Sequence, residues 1–185
     1  MTEKVPDWAE TYAVGRDEIW EKDPHYKGFL AALEELNGET DRGVALVATS
    51  FLDKLLTDAL AAFMLRNESN DKLLSGFNAP FGTLSTRITG CHALGLITDA
   101  EAKQCDTLRK VRNKFAHRVE VAFKTDRVRD LCGNLVVPAR DKDADARRKF
   151  MSGTMLLLIS LLNRPHDAAK KRLTPGEWKS SIDAK

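Results

Sequence analysis

One stretch constrains the fold more than any other. Between about Arg42 and Leu65, the residues Val44, Leu46, Val47, Phe51, Leu52, Leu55, Leu56, Leu60, Phe63 and Met64 surround most of a helical circumference. A helix that is apolar nearly all round is central to its domain or shared with a partner subunit. One strip breaks the pattern: Ser50, Asp53 and Thr57 recur at three and four residues and so lie on one face. That strip is either a solvated seam or a polar surface turned toward a site formed by other helices.

The rest of the chain supplies partners for such a helix. A helix is expected from about Leu84 to Leu94, with Gly95 placed to end it. Thr98-Asp-Ala-Glu101 is a capping box, opening a helix with Ala102, Cys105, Leu108, Val111 and Phe115 on its apolar stripe that reaches about His117. Thr125 is expected to cap a short helix through Leu131, stopped near Gly133. A last long helix is expected from about Asp143 to Asn163, closed by Arg164-Pro165. The first forty residues read as a helical extension, with Trp8, Tyr12, Ile19 and Trp20, then Phe29, Leu30, Leu33 and Leu36, as its apolar anchors. Val119 to Phe123 and Leu135 to Val137 lean toward β structure, enough for one small hairpin. The expectation is an all-α, mainly helical bundle of five to seven helices: residues 1–40 as an N-terminal extension, 41–165 as the bundle, and 166–185 as a polar tail, loosely attached from Lys170.

Composition narrows the function. At 185 residues the chain is the usual length of one domain. It is 43% hydrophobic and 30% charged with a net charge of +2, so no single-sign field covers the molecule and any nucleic-acid binding needs a local patch. Cys91, Cys105 and Cys132 are widely spaced without a C-x-x-C, no zinc template fits, and the cysteines read as reduced apolar fillers. No metal or cofactor is called for: a Gly-rich phosphate loop, G-x-S-x-G and H-E-x-x-H are all missing from the sequence. The N-terminus lacks the apolar run of a signal peptide, and Met155 to Leu162 is far shorter than the ~20 residues of a membrane span. These features point to a cytoplasmic protein without membrane association.

One string stands apart, Arg109-Lys110-Val111-Arg112-Asn113-Lys114-Phe115-Ala116-His117-Arg118, with five cations in ten residues. Such a group suits RNA cleavage without a metal. A neutral histidine with a pKa near ~6.5 can take the proton of a ribose 2′-hydroxyl, whose oxygen attacks the adjacent phosphorus and leaves a 2′,3′-cyclic phosphate. The Arg112 guanidinium suits the charge developing on the phosphorane, and the Asn113 amide can orient a phosphate or the imidazole of His117. Arg109, Lys110, Lys114 and Arg118 would hold the RNA backbone. Arg112 and His117 are five apart, about 140° around an ideal helix and ~7.5 Å along it, so a productive site needs a loosened helix end or two copies of the helix across a two-fold axis. The plain alternative is that His117 and its neighbouring cations only favour the helix dipole.

The string resembles the R-x4-6-H signature of the HEPN superfamily, in the form with Asn directly after Arg. That resemblance implies a dimeric helical bundle and, for many members, metal-independent endoribonuclease activity in toxin–antitoxin, phage-defence and RNA-processing systems, with Arg112, Asn113 and His117 as the matching residues. A polar residue from an earlier helix often joins such sites, which makes Ser50 and Asp53 supporting candidates. A second resemblance covers about residues 42 to 163: Ala79-Pro-Phe-Gly-Thr-Leu-Ser-Thr-Arg87, Gly95-Leu-Ile-Thr98, the helix into Asn113 and His117, and Phe123-Lys-Thr-Asp126 are similar to the mannitol operon repressor (MltR-like) family. It implies a transcriptional regulator without a recognisable DNA-binding motif, and no helix-turn-helix with a basic recognition helix is present in this chain. Arg87 is either the salt-bridge partner of an acid such as Asp53 or a neighbour of the Arg112/His117 patch.

Three functions follow. The first expectation is a HEPN-type endoribonuclease, a homodimeric toxin or defence effector with RNA as substrate. The alternative is an MltR-like regulator acting through protein partners or weak nucleic-acid binding without catalysis. The third is a partner-neutralising module of the immunity or antitoxin kind, for which the sequence offers nothing specific.

Overall fold

The computed structural model describes residues 38–178; the expected N-terminal helices lie outside them, as does the far end of the tail. The described residues form helices α1 (Asp41–Phe63), α2 (Glu68–Leu74), α3 (Leu84–Ala93), α4 (Asp99–His117), α5 (Asp126–Gly133), α6 (Ala146–Leu162) and α7 (Arg164–Lys170), with a 3-10 turn at Ala139–Asp141. From Asp41 onward the described residues form one compact unit. It is all-α, and no strand occurs among the described residues.

The helix with apolar residues all round is the hub. α1 packs against α2, α3, α4, α6 and α7, while α5 lies against α4 and α6. Val44, Ala45, Ala48, Leu52, Leu56, Ala59 and Leu60 are buried along α1, so truncating one of its leucines would cost about 2–5 kcal/mol. Under the C-terminal end of α4, Phe115, Phe123 and Phe150 form a chain of tilted ring contacts, with centroids 5.0 and 5.2 Å apart. The three cysteines are buried, and burial pushes each thiol up to about 12, so they fill space and stay protonated.

Local signals place several boundaries. The capping box at Thr98 and Glu101 opens α4 with both reciprocal bonds, at 3.2 and 2.8 Å. Gly95 takes φ +67°, which ends the α3 segment at little steric cost. The Ala79-Pro-Phe-Gly turn is held because the Phe81 ring lies against Gly90, where a Cβ would come within 2.6 Å of it.

Four expectations are corrected. The hairpin does not form, because other groups take its backbone. The Gln104 side-chain amide pairs with both the N–H and the C=O of Val136 at 2.9 Å, while Arg42 and Asp41 hold Val119 and Phe123. Thr125 is the N-cap residue of α5 but makes no capping bond, since its hydroxyl accepts from the Ala122 N–H. The last long helix starts at Ala146, with Asp145 accepting from the Arg148 N–H, after the 3-10 turn. Arg164-Pro165 does not end the helical part of the chain: proline is tolerated in a first turn, and α7 begins there. Beyond α7, Arg172 donates to the carbonyls of Met64 (2.7 Å) and Ala61, and the Leu173 N–H to Phe63, so this segment closes the C-terminal end of α1. The short α2 was not anticipated; Asn67 caps it through the Asn70 N–H.

Candidate functional site

Two of the three residues of the polar strip of α1, Ser50 and Asp53, line a pocket of about 390 Å³; the third, Thr57, does not. One wall is α1, with Thr49, Ser50 and Asp53; a second is the turn into α3, from Gly82 to Ser85; the third is α4, with Arg109, Arg112 and Asn113. The pocket therefore brings Ser50 and Asp53 beside Arg112 and Asn113, residues about sixty positions apart in sequence.

Within this pocket the groups are unequally committed. The Ser50 hydroxyl donates to the Leu46 carbonyl at 2.9 Å and keeps its acceptor lone pairs. Asp53 accepts from Arg87 at 2.5 Å, so Arg87 serves as its salt-bridge partner rather than as a wall of the pocket, and it also donates to the Leu74 carbonyl. The other carboxylate oxygen of Asp53 is buried without a partner. Arg109 binds Asp106 through Nε and Nη2 at 2.9 and 2.6 Å, and Lys110 reaches the same carboxylate at 2.7 Å. Burial pushes the Asp106 carboxyl up, but the hydrogen bonds from Lys110 and Arg109 outweigh it and leave the group below the usual carboxylate range.

Two of the five cations are thus bound to an acid four residues or fewer away. Arg112 is exposed and has no ion pair among the described residues; its guanidinium donates to Asn113 Oδ1 at 3.2 Å. Lys114 and Arg118 likewise form no ion pair there.

His117 does not join this pocket. α4 stays helical through His117, the helix does not loosen, and the exposed imidazole is not among the lining groups. One chain by itself sets Arg112 and Asn113 in the pocket and leaves His117 beyond it.

A residue outside the motif organises this helix end. Arg42, from the first turn of α1, donates to the carbonyls of Phe115, Arg118 (2.6 Å) and Val119 (3.0 Å). Its neighbour Asp41 accepts from the Phe123 N–H at 3.0 Å and from Arg147 at 2.7 Å. Sequence reasoning missed Arg42, because its acceptors lie more than seventy residues away and no local spacing marks them. The start of α3 as a pocket wall was missed too, although Thr83 before an apolar helix start was a readable cap.

No protein-family model matches the chain, and no curated protein matches it. Among solved structures, a chain in the X-ray structure of the MtlR-HPr complex from Escherichia coli superposes on it with a TM-score of 0.52 and 20% sequence identity, over 75% of this chain and 96% of that one. At that identity the likeness shows a shared helical fold. Among the described residues no helix is long and apolar enough to cross a membrane.

Proposed function

We propose that this chain is a regulator of the MltR-like kind, a helical bundle that works by docking a protein partner rather than by catalysis. The observation that carries this reading is that nearly the whole of a chain from an MtlR-HPr complex has the same fold. The position of His117 adds support, because the acid/base that RNA cleavage needs stands outside the pocket holding Arg112 and Asn113. The test is size-exclusion chromatography and calorimetry of the purified chain with HPr of its own source organism. A stoichiometric complex is expected; absence of any complex at tens of micromolar of each protein removes this reading.

The metal-independent endoribonuclease remains a second reading on one observation: Arg112 and Asn113 share a pocket with Ser50 and Asp53. It requires His117 from a second copy, hence a homodimer. Incubation with tRNA and single-stranded RNA in EDTA, beside His117→Ala, tests it. Products ending in 2′,3′-cyclic phosphate and lost in the variant establish the nuclease; a strictly monomeric protein by light scattering ends it.

A further inference from the structure

We propose that the pocket between α1, the start of α3 and α4 binds a small phosphomonoester, a property beyond the partner-docking reading and independent of it. Its donors converge from two elements. At the start of α3, the capping box pairs the Thr83 N–H with Thr86 Oγ1 and the Thr86 N–H with Thr83 Oγ1, each at 3.2 Å. That leaves the N–H groups of Leu84 and Ser85 without hydrogen-bond partners among the described residues, and both residues line the pocket. Unpaired N–H groups at the positive end of a helix favour an anion.

Across the pocket, the Arg112 guanidinium has no carboxylate partner among the described residues, which leaves most of its fork to phosphate oxygens. Asn113 accepts from Arg112 through Oδ1, which leaves its amide nitrogen to donate. The charges agree with this assignment. Asp53 is neutralised by Arg87, and Asp106 is shared by Arg109 and Lys110, so with Arg112 two positive charges remain in excess around the pocket. A phosphomonoester carries a charge of about −1.5 to −2 at pH 7.

Size sets the rest of the ligand. A volume of about 390 Å³ lies near the low end of ligand sites, enough for a phosphate on a small body and too little for a duplex. The Ser85 hydroxyl has no hydrogen-bond partner among the described residues, and Ser50 and Asn113 add polar groups, so a hydroxylated body suits the walls. The bound state pairs the phosphate with the Leu84 and Ser85 N–H groups and with Arg112, while the hydroxyls of the body meet Ser50.

Calorimetric titration of the full chain with inorganic phosphate, glycerol 3-phosphate, AMP and a short oligoribonucleotide lacking a terminal phosphate tests the site. One phosphomonoester is expected to bind in a 1:1 ratio and more tightly than inorganic phosphate. Arg112→Gln should weaken it about tenfold or more, as loss of a charged hydrogen bond implies. Ser85→Asp should abolish it while keeping the helix, because an acid in a first turn is favourable there; an unchanged melting curve checks the fold. Affinity should fall below about pH 6, where the phosphate becomes a monoanion. No binding by the folded protein overturns the proposal, as does binding that ignores both variants. Inorganic phosphate bound as tightly as its esters marks an adventitious anion only, and oligoribonucleotide binding without phosphomonoester binding makes the pocket an RNA groove; either result overturns it. Failure to bind HPr bears on the regulator alone.

Discussion

The two ends of α4 are both secured by an arginine from another part of the chain, yet they are built differently. At the N-terminal end, the Thr98–Glu101 box satisfies the first N–H groups from within the helix itself, and Arg164 then clamps Glu101 (2.8 Å) and the Leu96 carbonyl. At the C-terminal end no local cap exists. Arg42 supplies the donors for Phe115, Arg118 and Val119 from a distant helix. The first end is local chemistry reinforced by a tertiary contact; the second is tertiary contact alone. The candidate motif, Arg112 to His117, sits at the second.

The largest effect is therefore expected at Arg42. Arg42→Ala leaves three carbonyls short of a charged donor and should cost about 3 kcal/mol in urea unfolding, with faster amide exchange confined first to residues near 115–123. A uniform loss of protection would show that the two ends are coupled and break the contrast.

Arg164→Ala should cost about 2 kcal/mol, because it strands Glu101 in a site where both partners are mostly buried. It should also change the acid limb. Burial pushes the Glu101 carboxyl up, but hydrogen bonds from Arg164 and from Thr98 hold it below its ordinary value of 4.5. A depressed folded-state pKa adds stability that is present above pH ~4.5 and lost as pH falls below it. Wild-type stability should decline more steeply than the variant's over that acid range, and superimposable pH profiles would remove Glu101 from this role.

Thr98→Ala should cost about 1 kcal/mol, the usual value of an N-cap side chain, measured as a shift in the urea midpoint. Lys110→Ala should change stability by only a few tenths of a kcal/mol, since its ion pair with Asp106 is exposed and Arg109 still holds the acid. A large loss there would mean that the basic string is structurally indispensable and would blur the difference between the two ends.

The same division decides how much could be read in advance. Patterns spanning one or two turns were legible: the apolar circumference of α1, Gly95 at the end of the α3 segment, and the box at Thr98. The Ser50/Asp53 strip was legible as a strip, but its two meanings were separable only by knowing what lies opposite it. The hairpin failed because β-leaning residues reveal nothing of Gln104 and Arg42, which take the backbone groups a ladder needs. The count of five cations did not reveal that Asp106, one turn before them on α4, pairs with Arg109 and Lys110.

By itself, the sequence determined that this chain is helical, where several helices begin and end, and that one of them is central, because these depend on spacing and on backbone groups within a few residues. Tertiary structure decided which polar residues meet. Arg87 rather than solvent neutralises Asp53, Arg42 closes the helix that carries Arg112, and the start of α3 lines the same pocket as Arg112 and Asn113, a pocket that His117 does not line. Such contacts join residues tens of positions apart, and only the packing of helices around α1 sets those distances.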